Sequence, residues 1–120
     1  MTFQEHMAEA AQRVEGLSGA AVADSDGIIV EEYKKNPLID MPLLVAEYGA
    51  LWRVTDRSGV SSGTGATNEL SVMTEEAILV IRRISQDYFL LFVIESEKSF
   101  GKGRFYARII AEDLAEGFGL

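Results

Sequence analysis

The sequence predicts an α+β fold in which one five-stranded antiparallel sheet carries helices on both faces. Three observations predict it. The elements read in the order α-β-β-α-β-β-β-α. Asp24-Ser25-Asp26-Gly27 joins two short apolar runs as a hairpin, because glycine accepts the positive φ that such a turn demands. Tyr88 to Ile94 has no polar face, so helices must cover it from both sides. The 120 residues suit one domain spanning 1–120, with no repeat or linker, and that length buries roughly two-thirds of the unfolded surface.

Each element has its own signal. Thr2 and Glu5 form a capping-box pair. Phe3, Met7, Ala10, Ala11 and Val14 follow at helical spacing, giving a first helix over Thr2–Glu15 that stops at Gly16. Leu17–Ala23 and Ile28–Tyr33 are the hairpin strands, ended by Lys34-Lys35-Asn36-Pro37. Asp40 is a good N-cap and Pro42 is tolerated in a first turn, so a second helix runs from Met41 to Arg57. Gly59 is expected to end it, with Val60–Thr67 as a Ser/Gly/Thr loop. A three-strand meander follows: Glu69–Thr74, with Leu70 and Val72 on one face, then Ala77–Ile84, then Tyr88–Ile94. Glu75-Glu76 and Ser85-Gln86-Asp87 are its turns. Ser99 is expected to cap a third helix that presents Tyr106, Ile110, Leu114 and Phe118 on one side.

Composition removes several function classes. Apolar residues make up 48%, charged residues 25%, and the net charge is −8, so the chain reads as globular and acidic. Nucleic acid and anionic membranes, which recruit clustered Lys and Arg, are not expected partners. Without cysteine there is no disulfide, thiolate catalysis or Cys-ligated metal. No secretory signal opens the chain, and Tyr88–Ile94 is far too short to span a bilayer, so the expected location is the cytoplasm.

The second helix is the most informative segment, because it has two apolar sides. Met41, Leu44, Val45, Tyr48 and Trp52 share one face at 3.6-residue periodicity and read as a core stripe. Leu43, Ala46, Ala50 and Val54 lie opposite, and Glu47 is the only charge between Met41 and Trp52. A helix on its own sheet should be polar outside. Alanines there are also good helix formers, but leaving Leu43 and Val54 in water forgoes roughly 1.5–3 kcal/mol each. The strip therefore reads as a contact with another chain, the same helix of a twofold mate included. With the neighbouring strand it gives an expected dimer interface of Leu43, Ala46, Ala50, Val54, Leu70 and Val72.

Little in the sequence suggests an active site. His6 is the only histidine, too few for a triad or a multi-histidine metal site, and is expected on the solvated side of its helix. Asp24 and Asp26 are explained by turn chemistry, not by calcium binding, since no further acidic ligands follow. Gly59-Val60-Ser61-Ser62-Gly63-Thr64-Gly65 has no lysine after its glycines and follows a helix, unlike a phosphate-binding loop. Gly101-Lys102-Gly103 fails the same test. No cofactor and no metal are expected. Arginine is the one residue through which an interaction module can act on chemistry elsewhere. An arginine supplied to a partner's phosphoryl-transfer site can accelerate the reaction roughly 10³–10⁵-fold. Arg53, Arg57, Arg82 and Arg83 are candidates, each also readable as a solvated or salt-bridged surface charge.

Three stretches together resemble the Roadblock/dynein light chain family: Gly16 to Gly27 with its small-residue strand and D-x-D-G turn, the three-strand run Glu69 to Ile94, and Phe100-Gly101 before the last helix. The family often has Asn where this chain has Ser99. The resemblance covers nearly the whole chain and implies a profilin- or longin-like layered fold. It implies homodimerisation through the second helix and third strand, giving a continuous sheet across two subunits. Its MglB-like members imply regulation of a Ras-like small GTPase without an active site of their own. Its light-chain members imply the alternative of a structural adaptor with no effect on GTP hydrolysis. The polar rim of the second helix, Glu47, Arg53 and Arg57, is the expected contact with such a partner.

Overall fold

The computed structural model describes residues 1–117. Its elements are α1 (Phe3–Arg13), β1 (Leu17–Asp24), β2 (Ile29–Lys34), α2 (Met41–Ser62), β3 (Glu69–Met73), β4 (Ile78–Arg83), β5 (Tyr88–Ile94), a short 3-10 turn (Glu97–Ser99) and α3 (Phe100–Gly117). The strands form one antiparallel sheet in the order β2-β1-β5-β4-β3. Helices cover both of its sides, as the element order predicts.

The hairpin and the meander merge because β1 pairs with β5 from Leu17↔Ile94 to Asp24↔Tyr88. That pairing places the two strands without polar faces at the centre, where both sides of each are buried. β1 meets the demand with small residues, Gly19, Ala20, Ala21 and Ala23, and β5 with large ones. On one side, α1 and α3 pack over Ala20, Val22, Val80, Leu90, Phe92 and Ile94. On the other, α2 packs over Ala21, Ala23, Leu79, Ile81, Phe89, Leu91 and Val93.

Three local expectations are corrected. Gly59 does not end α2. The helix continues to Ser62 and stops at Gly63, whose left-handed φ of 86° makes it the C-cap. Gly59 has a different duty. Its carbonyl accepts from Thr64 N and Gly65 N at 2.9 Å each, and a Cβ there would lie 2.0 Å from the Gly65 carbonyl oxygen. Ser99 does not cap α3 with its side chain; the buried hydroxyl donates to Glu15 O at 2.6 Å, tying the two halves of the chain together. His6 is not solvated: it is 7% exposed, lying in the seam between α1 and α3 beside Ala10, Tyr106, Ile110 and Asp113. Phe118, expected on the apolar side of α3, lies outside the described residues.

The capping box at α1 forms as expected. Glu5 N donates to Thr2 Oγ1 at 3.1 Å, and the Glu5 carboxylate accepts from Thr2 N at 2.8 Å. The Thr2 backbone N–H donated to the carboxylate, with the Thr2 hydroxyl beside it, holds the Glu5 carboxyl below its ordinary pKa.

Candidate protein-interaction site

α2 begins where Asp40 accepts a hydrogen bond from Leu43 N at 3.1 Å, with Pro42 in the first turn. Its inner face buries Met41, Val45, Gly49 and Trp52. Trp52 stacks on Phe89 of β5 with ring centroids 6.0 Å apart. Leu44 and Tyr48, expected in the core stripe, are only half buried. They look into a groove of about 440 Å³ whose apolar wall includes Leu79 and Val93 and whose rim includes Asp40, Glu76 and Glu95.

The groove has a simple cause. The backbone of α2 lies closest to β1 and β2; its cluster buries Leu79 and Ile81 of β4 but covers the edge strand β3 only partly. Leu70 and Val72 are there, turned towards the α2 side and half buried. β3 is also an edge strand, bonded only to β4.

The outer side of α2 is apolar and uncovered. Leu43 is 54% and Val54 49% exposed, with Ala46 and Ala50 exposed between them. Leu51 and Leu38 add to the patch. The sequence reading missed both. Leu51 sits on the flank of the strip, beyond the strict spacing from Leu43 to Val54, and Leu38 precedes the helix where periodicity carries no signal. The six residues expected at a dimer contact therefore fall on one side of the sheet, four on the helix and two on its free edge.

The arginines sort themselves by partner. Arg83 lies over the Trp52 ring and donates to Thr67 O, Ser85 O and the Asp56 carboxylate, the last at 2.5 Å. Arg82 pairs with Glu69 at 3.5 Å. Arg53 donates to Ser25 O at 2.7 Å and so holds the β1–β2 turn against α2. That turn sits close because Gly27, at a φ of 84°, faces Ala46 and Gly49 without a side chain between them. Arg57 and Glu47 are exposed, and neither has an ion-pair partner among the described residues.

The other suspected chemistry is accounted for locally. Asp24 Oδ1 accepts from Asp26 N and Ile28 N, which is turn geometry. The amides of Gly63, Thr64 and Gly65 cap α2 and are turned towards its carbonyls. Among the described residues no group of acidic or histidine side chains could hold a metal ion, and no helix is long and apolar enough to cross a membrane.

No family model and no curated protein matches the chain. Solved structures do. A Roadblock/LC7 domain from Streptomyces avermitilis superposes with a TM-score of 0.85 at 13% identity, covering 100% of both chains. An MglB with tetrameric arrangement gives 0.84 at 18% identity, over 94% of this chain and 85% of that one. MglC from Myxococcus xanthus is 30% identical over 98% of this chain and 99% of its own, with a TM-score of 0.67. The chain belongs to the Roadblock/LC7 family. In this Roadblock sheet β3 is an open edge, and α2 leaves its inward side chains Leu70 and Val72 half buried.

Proposed function

We propose that this chain is a homodimeric protein-interaction module that regulates a Ras-like small GTPase in the cytoplasm and has no active site of its own. The observation that carries the reading is the α2 side of the sheet, where an apolar helix strip, an open edge strand and a groove lie together. A second α2, related by a twofold axis, would complete the cover over β3 and the groove beside it. Leu43, Ala46, Ala50 and Val54 would meet their copies, with Leu70 and Val72 beneath them. The same patch is then used twice, which doubles what each buried side chain contributes. The structural likeness to MglB supports a regulatory role for the assembled dimer.

The rim of α2 supplies the polar contacts. Among the described residues Arg57 and Glu47 have no ion-pair partner, so they meet another protein without first breaking such a bond. Arg53 acts from its bond to Ser25 and orders the turn beside them. Stimulation of hydrolysis needs no finger if the dimer holds the GTPase's own switch segments in place. The test is to mix the protein with the Ras-like GTPases of its own genome and follow GTP hydrolysis. Complex formation with a changed rate, weakened by Arg57→Ala, is the expected result. No binding and no rate change with any of them removes the regulatory reading, and recovery of a non-GTPase partner then identifies a structural adaptor.

A further inference from the structure

The sheet has two edge strands, β2 and β3. An edge strand offers unpaired amides and carbonyls to any extended segment that comes near. The two edges are furnished differently. Along β3, side-chain bonds to the backbone stop short at both ends: Arg83 Nε donates to Thr67 O before the strand, and Thr74 Oγ1 bonds Ala77 after it.

β2 carries more exposed apolar surface. Val30 is 50% exposed, and Ile28, just before the strand, is 63% exposed. Lys35 N donates to Ser18 O of β1 at 2.9 Å. Backbone groups alternate in direction along an antiparallel strand, so Tyr33 also faces β1 while Glu32 and Lys34 point their amides and carbonyls outward. The outward carbonyl of Glu32 is already taken. Gln4 Nε2, from the first turn of α1, donates to it at 2.9 Å. The capping box between Thr2 and Glu5 fixes the turn that carries Gln4. Gln4 therefore occupies the place of an added strand's N–H. At the other end of β2, the register shift between Val22 and Ala23 leaves Val30 without an opposite residue, a bulge that twists the edge away.

We propose that Gln4 closes the β2 edge and so confines strand addition in this sheet to β3. The segment it turns away is an extended one, above all the β2 of a second copy. Glu31 and Glu32 add a charge barrier against that copy, because two β2 strands laid side by side bring like charges together. The carbonyl contact acts against charged and uncharged strands alike. If β3 forms the proposed dimer, the closed β2 edges make two chains the limit of sheet growth; the β3 dimer enters the inference only at that last step.

The test removes the charge barrier first. Glu31→Thr with Glu32→Thr keeps the backbone carbonyl and Gln4, and serves as the background. Gln4→Ala and Gln4→Asn, whose side chain is too short to reach, are then made on it. Sedimentation from micromolar to millimolar concentration gives the mass, and amide hydrogen exchange locates the contact. The expected result is wild-type mass for the background and at least a doubling of mass for both Gln4 changes at the same concentration. Exchange slows at residues 32 and 34 and is unchanged at residues 69–73. Cα shifts of residues 3–13 match the background, which separates an opened edge from an unwound α1. Growth of the background itself, no growth after either Gln4 change, protection at residues 69–73 in place of 32 and 34, or loss of the α1 shifts overturns the proposal. The mass of the wild type, one chain or two, judges the β3 dimer separately; the increase over that mass judges Gln4.

Discussion

The two sides of the sheet are finished to different degrees. Towards α1 and α3, two helices close over the strands, and Phe3, Met7, Val14, Leu90, Phe92 and Leu114 are all sealed. Towards α2, one long helix covers β1 and β2 while Leu70, Val72, Leu44 and Tyr48 stay half open. The difference teaches that a small domain can complete its core on one face while the other leaves apolar area open.

The comparison makes sharp expectations. If the proposed dimer forms, Leu43→Asp with Val54→Asp should split it while leaving the subunit folded. Four side chains of roughly 1.5–3 kcal/mol each leave the contact, so about 6 kcal/mol or more of association is lost. Sedimentation at micromolar concentration measures it, and a wild-type protein that is already a lone, stable subunit would break the comparison outright. Phe92→Ala, on the sealed face, should cost about 3–5 kcal/mol in urea unfolding. Arg83→Ala removes a guanidinium that serves Asp56, Thr67 and Ser85 at once. It should cost about 2 kcal/mol, the scale of hydrogen bonds to a charged group.

The smallest effect is pH-dependent. The Glu5 carboxyl is held below its ordinary value of 4.5 by its bonds with Thr2. Its contribution to α1 is therefore complete above that value and lost as pH falls through the lower folded one. Cα chemical shifts of Phe3 to His6 should lose helical character over that acid range, and Glu5→Gln should flatten the change.

Element order, the capping box, the hairpin turn and the double burial of β5 were legible in the sequence because each rests on local spacing or on one-strand hydrophobicity. The outward strip of α2 was legible for the same reason. The β1–β5 pairing was not: Leu17 and Ile94 meet across most of the chain, and neither carries a local sign of the other. Gly59 misled because a glycine that admits a folded-back loop looks in sequence like one that ends a helix. The distinction lies in φ, which the letter does not carry. His6 was misplaced because α1's stripe of larger apolar residues hid how far α3 leans over its flank. The offset of α2 towards β1 and β2, which creates the groove, depends on packing across the sheet and had no sequence signal.

The central position of β5 has a consequence for synthesis. As the chain leaves the ribosome, β1 and β2 emerge long before the strand that must lie beside them. Until Tyr88 to Ile94 follow, the nascent hairpin offers the bare edge of β1, with its glycine and alanines, to whatever is near. Sheet closure must therefore wait for the C-terminal half of the polypeptide, and the long loop it closes sets a slow, contact-order-limited pace.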